Sequence, residues 1–299
     1  MRLRVECDPR RAGMRACVTL LLAAFALCRP PSPSKAQTPE PTTTTPAAVQ
    51  HPSNPKLPTL FVVGDSTANN NANGAEGWAD PFISYFDPKK INVINRARAG
   101  RSSRTFLTEG LWEKVLQDLK PGDFVLIQFG HNDGGPLDTG RARGSLPGLG
   151  EETKEVTKPD GAKEVVHTFG WYNRKLISDV KAKGATPIIL SLTVRNIWKE
   201  GRVERGSGRF REWAEEVARS QGVQFVDVTS LVADRYEALG EEKVRALFGP
   251  DHTHTSPAGA EFNAAAVVAG LKGLKGDPFK RFFSARAREV GAYKPANSR

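Results

Sequence analysis

The sequence holds little cysteine: three residues in 299, and all of them (Cys7, Cys17 and Cys28) come before residue 29. The rest of the chain therefore has no disulfide framework and must be stable from its core alone, which its 39% hydrophobic content can supply. The same lack removes cysteine nucleophiles and thiolate metal sites from the chemistry open to it. Long apolar runs are also missing. The stretch Ala16–Leu27 has 12 residues, whereas a membrane-spanning helix needs about 20. No internal repeat is visible, which excludes a solenoid or propeller.

What is present begins with an export pattern. Arg2, Arg4, Arg10, Arg11 and Arg15 precede the apolar run, and Ser34-Lys35-Ala36 follows it with small residues at both positions of an A-x-A cleavage site. Residues 1–36 read as a signal peptide, which directs the protein to the periplasm or the extracellular space and leaves no membrane span after cleavage. An uncleaved anchor is the alternative. A lipidated Cys28 fits less well, because Phe25-Ala26-Leu27 lacks a small neighbour.

Charge follows the same division. The whole chain carries +10, from 43 basic and 33 acidic side chains. Residues 1–36 hold seven of those bases against Glu6 and Asp8, so half of the excess belongs to the signal and +5 remains. That is modest for a nucleic-acid binder, and no nucleic-acid partner is expected. Residues 37–58, rich in Pro and Thr, read as a tether, and the fold should start near Thr59.

From there, apolar runs alternate with helical patterns. Residues 59–63, 91–94, 124–128, 186–192 and 223–228 read as strands covered on both faces. Residues 78–86, 107–119, 169–183, 210–220 and 257–274 read as helices. The order predicts an α/β fold, a three-layer α/β/α sandwich on a five-stranded, mostly parallel sheet of flavodoxin-like type, spanning 59–276 with a C-terminal extension over 277–299. Residues 134–165, rich in glycine and charge without a period, read as a long loop at the rim of a site.

Ligands of such sheets bind beyond the carboxyl ends of the strands, so the residues there carry the functional reading. Gly64-Asp65-Ser66-Thr67 ends the first strand and offers a hydroxyl, beside an oxyanion site if a helix begins there. An Asp/Ser helix cap is the plainer reading. Gly100 follows the second strand within an arginine-rich turn, and Gly130-His131-Asn132-Asp133 follows the third. The Asn132 amide could face a developing negative charge, or Asn132 could form an ordinary Asx turn. Asp251-His252-Thr253-His254 precedes the final helix. Its carboxylate could orient an imidazole as a general base, or His252 and His254 could ligate a metal, although no third ligand cluster accompanies them.

The set GDST, a glycine after strand two, GHND and DxxH resembles the SGNH (GDSL-like) hydrolases. The segments His167–Asn173, Lys183–Leu190, Arg195-Asn196 and Asp251–Ala260 are similar to rhamnogalacturonan acetylesterases, carbohydrate esterase family 12. The resemblance implies a serine ester hydrolase that removes acetyl groups from pectin. It assigns Ser66 as nucleophile, His254 as base and Asp251 as its partner, with Ser66, Gly100 and Asn132 as oxyanion donors. It requires no cofactor and no metal, and its substrate would be an acetylated acidic polysaccharide or oligosaccharide. Arg96, Arg98, Arg101 and Arg104 surround the oxyanion glycine. At least one of them is expected to face the cleft and bind a uronate carboxylate; the alternative is that they are solvated or paired with local acids. The alternatives are an esterase for xylan or mixed acetyl sugars, a lipase or thioesterase, and a carbohydrate-binding protein without catalysis.

Overall fold

A computed structural model describes residues 54–249 and 251–293. The signal peptide expected at 1–36 and most of the tether lie outside them. The central sheet has five parallel strands: β1 (Thr59–Gly64), β2 (Asn92–Asn95), β3 (Phe124–Gln128), β6 (Thr186–Leu190) and β9 (Gln224–Val226). Their order is β2-β1-β3-β6-β9, the flavodoxin-like arrangement. Two hairpins lie apart from it, β4 (Thr153–Thr157) with β5 (Lys163–His167) and the short β7 (Trp198–Lys199) with β8 (Arg202–Val203).

The strand period divides the core in two. Leu60, Val62, Leu126, Ile188 and Leu190 face one layer, which includes α1 (Ala79–Phe82), α6 (Val228–Leu239), α7 (Glu241–Arg245) and α8 (Pro257–Lys272). Phe61, Val63, Val125, Ile127 and Ile189 face the other, which includes α2 (Ser103–Thr108), α3 (Leu111–Asp118), α4 (Phe169–Ala182) and α5 (Phe210–Ser220). Apolar residues at every strand position follow from having helices on both faces.

Several elements depart from expectation. The helix expected over 107–119 is two helices, because Gly110 takes a φ of +72° that a helix cannot contain. The helix α6 was not expected. The β-branched run into Val228 reads as a continuing strand, but Asp227 caps a helix by accepting from the Ser230 N–H at 3.1 Å. The segment read as loop at 134–165 ends in the β4–β5 hairpin, whose turn holds Pro159-Asp160-Gly161. The C-terminal extension joins the core through Phe279, Phe282 and Ala287, so no physical break falls at residue 276. Among the described residues, no helix is long and apolar enough to cross a membrane.

The hairpin is tied down by an unusual side chain. Arg104 is fully buried, with Nε 2.7 Å from Glu164 Oε1 and Nη1 donating to the carbonyls of Leu137 and Gly144 at 2.9 and 2.8 Å. Removing one partner of a buried ion pair leaves the other uncompensated, at about 3–5 kcal/mol. Arg104→Ala is therefore expected to lower unfolding free energy in urea by about that amount; a loss below about 1 kcal/mol, the level of a surface ion pair, would contradict it.

Candidate active site

Three loops meet beyond the carboxyl edge of the sheet. The first leaves β1 at Gly64, where a Cβ would stand 2.8 Å from the Gln128 carbonyl, so only glycine lets the strands pack this closely. Asp65 is buried and makes the turn: Oδ1 accepts from Thr67 N and Oγ1 at 2.9 and 2.8 Å, and its carbonyl accepts from Ala68 and Asn69. No helix begins here, so Ser66 stands on a capped turn and not at a helix N-terminus.

The second loop precedes α8. Ser256 caps that helix and Pro257 occupies its first turn. The loop is pinned to the first by Glu76 N to Thr255 O (2.9 Å) and Thr255 Oγ1 to Glu76 O (2.8 Å). These contacts carry His254 to Ser66: Nε2 lies 2.8 Å from Ser66 Oγ, and Nδ1 lies 2.7 Å from Asp251 Oδ2. Partial burial works to raise the Asp251 carboxyl. Hydrogen bonds from the His254 side chain and from the His254 and Thr253 backbone outweigh it and hold it down at about 2. Asp251 therefore stays ionised at any working pH and fixes the ring nitrogen that faces Ser66. An imidazole held this way can take the serine proton.

The third loop follows β3. Asn132 lines the same cleft, with Nδ2 donating to Arg101 O at 2.8 Å and its second N–H uncommitted. Gly100 lies beside it. Among the described residues, neither the Ser66 nor the Gly100 N–H donates to another group. The cleft holds about 330 Å³. It thus gathers Ser66, His254, Gly100 and Asn132 as the sequence led us to expect. His254 is engaged through both ring nitrogens, and among the described residues no three His, Cys, Asp or Glu side chains are placed as metal ligands.

The arginine expectation needs correction. None of Arg96, Arg98, Arg101 or Arg104 lines the cleft. Arg96 pairs with Asp118, Arg101 with Glu109 and Arg104 with Glu164, while Arg98 is exposed elsewhere. Local acids on α2, α3 and β5 draw these side chains away. The cleft's guanidiniums are Arg141, Arg143 and Arg195. A Cβ on Gly100 would stand 3.5 Å from Arg141 Nη1 and 3.6 Å from Arg143 Nη1. The Arg143 pKa is lowered, by burial first and then by the charge of Arg141. The only sequence signal for this pair was the glycine-rich context of the rim loop.

His131 also borders the cleft, with Nε2 3.3 Å from Thr193 Oγ1. Burial lowers its pKa, against an opposing effect of the Asp65 charge and with a smaller lowering by Arg195.

The family model for the GDSL-like lipase/acylhydrolases matches residues 62–262. The chain belongs to that family. It is an esterase. It is 38% identical over 213 residues to a rhamnogalacturonan acetylesterase of Emericella nidulans, covering 71% of this chain and 84% of that one. It is 28% identical to the probable rhamnogalacturonan acetylesterase YesY of Bacillus subtilis, covering 72% and 93%. A crystal structure of B. subtilis YxiM superposes with a TM-score of 0.58 at 26% identity, covering 72% of this chain and 56% of that one.

One buried carboxylate links the loops of the esterase. Asp133 accepts from Ser103 N (3.2 Å) and Ser145 Oγ (3.1 Å), and also from Ser103 Oγ. Burial pushes it up to about 6, against those hydrogen bonds and with a further rise from Asp65. A carboxyl raised in the folded state favours folding most when it is protonated. Its contribution falls as pH rises from the ordinary value of 3.8 to about 6. Asp133→Asn lacks this titration. Its stability deficit relative to wild type should therefore shrink over that interval in thermal melts, and a constant deficit would argue against a raised Asp133.

Proposed function

We propose that this esterase is an exported carbohydrate acetylesterase that acts on acetylated acidic polysaccharide of the pectin type by serine acyl transfer. In this reading Ser66 Oγ attacks the acetyl carbonyl while His254 Nε2 takes its proton. The new oxyanion is held by the Ser66 and Gly100 N–H groups and by the Asn132 amide. The carbonyl re-forms, the ester C–O bond breaks, and protonated His254 gives its proton to the departing sugar oxygen. Water, deprotonated by the same imidazole, then cleaves the acetyl-serine to acetate and free Ser66. Asp251 stays ionised throughout and stabilises the imidazolium.

The observation that carries the reading is the unbroken Ser66–His254–Asp251 line of 2.8 and 2.7 Å contacts, set in a cleft with three guanidiniums. Those cations suit a uronate beside the acetyl group and poorly suit an acyl chain. The rhamnogalacturonan acetylesterase relatives support the same substrate class, and the arginine-rich leader before the apolar run supports export.

Ser66→Ala should abolish turnover of p-nitrophenyl acetate, and Asn132→Ala should lower kcat by about 10²–10³; residual activity of Ser66→Ala near wild type would end the serine mechanism. Arg143→Ala should lower kcat/KM for acetate release from acetylated pectin by about tenfold, one charge-assisted contact, while changing the rate on acetyl-xylan little. An equal fall on both substrates, or a wild type that prefers acetyl-xylan, would overturn the acidic-substrate reading.

A further inference from the structure

The Ser66 cleft does not close at Arg141. Beyond that residue lies a second depression of about 260 Å³, and Arg141 borders both. Its walls are the end of α2 at Thr108, its cap Glu109, and the hairpin turn at Lys158 and Asp160. The reaction at Ser66 uses none of these groups.

Two features make this a formed site. The hairpin wall is held from below, because Glu164 in that wall is paired to buried Arg104 at 2.7 Å, and Lys158 N closes the turn on Ala162 O at 2.8 Å. The depression's lining mixes polar side chains, hydroxyls, carboxylates, an ammonium and a guanidinium, with the apolar surface of their stems and of Gly140, Ala142 and Pro159. Such a mixed surface matches a sugar ring, which carries hydroxyls and charge at its edge and C–H groups on its faces.

Among the described residues, the charge at the junction that has no partner is that of Arg141. Glu109 is neutralised by Arg101 at 2.8 Å and Glu164 by Arg104. Lys158 is only loosely paired, at 3.9 Å from both Asp160 and Glu164. Among the described residues, Arg141 makes no hydrogen bond or ion pair. An anionic group bridging the two depressions would meet unpaired Arg141 on one side and, on the other, Lys158, which it would share with Asp160.

We propose that the second depression is a sugar subsite that holds a uronate unit of the same polymer whose acetylated unit lies at Ser66, with the chain passing over Arg141. This rests on the carbohydrate reading above. It makes the esterase sensitive to the length of its substrate, a property that the Ser66 cleft alone does not confer.

The test measures acetate release by the full chain from acetylated oligouronides, dimer to octamer. Wild-type kcat/KM should rise with length. Thr108→Trp, which fills the depression, and Lys158→Ala should each lose about three- to tenfold on the long members, the size of one or two partly exposed polar contacts. Their rates on the dimer and on p-nitrophenyl acetate, which report the Ser66 cleft alone, should stay at wild-type level. A wild-type rate independent of length, or variants that keep the whole gain, would overturn the subsite. If wild type releases acetate from neutral acetylated oligosaccharides and from no oligouronide, the acidic reading and the uronate assignment fall. Loss or retention of the length gain in Thr108→Trp on that neutral series then decides the subsite by itself.

Discussion

The contact between Ser66 and His254 joins positions 188 residues apart at 2.8 Å, and the other features of the site depend on it. Neither loop could hold this geometry alone. The serine rides on a turn that Asp65 caps from within, and the histidine on a loop that Glu76 and Thr255 sew to the same β1 loop. Both loops in turn rest on the sheet. β1 is flanked by β2 and β3, and α8 packs its buried face against the layer that covers Leu60 and Val62. A shift of one strand register would move Gly64 off Gln128 and carry Ser66 out of reach.

The position between β1 and β3 has a further consequence. In a doubly wound sheet the chain reverses direction of growth there, which leaves a crevice at the carboxyl ends. Ser66 follows β1, Gly100 follows β2 and Asn132 follows β3, so residues from three crossovers line one cleft. Asp133 adds the tie between them. Its carboxylate collects Ser103, three residues beyond Gly100, and Ser145, two residues beyond Arg143.

Much of this was legible in the amino-acid order. Residues 124–128 and 210–220 read as a strand and a helix with the bounds the structure has, because a turn or cap closes each end. Ser66, Asn132, Asp251 and His254 were legible because each follows a strand or precedes a capped helix, where side chains have little else to do. The hairpin at 153–167 was not, although Pro159-Asp160-Gly161 marks its turn, because β4 is exposed at four of its five positions and shows no apolar period. The helix α6 was hidden by the β-branched residues that lead into it.

The arginines mark the boundary between the two kinds of information. From sequence, nearness to Gly100 singled out Arg96, Arg98, Arg101 and Arg104, yet the cleft takes Arg141, Arg143 and Arg195. A long side chain goes to whichever acid or carbonyl the fold places within its reach, and Asp118, Glu109 and Glu164 are such acids. The sequence by itself determined the parallel sheet, the order of its crossovers and the polar groups that meet at its carboxyl edge, because periodicity, turn residues and short polar motifs are local properties of the chain. Only the tertiary structure decided which cations line the cleft, because charge pairing depends on distances across loops that no spacing in the chain records.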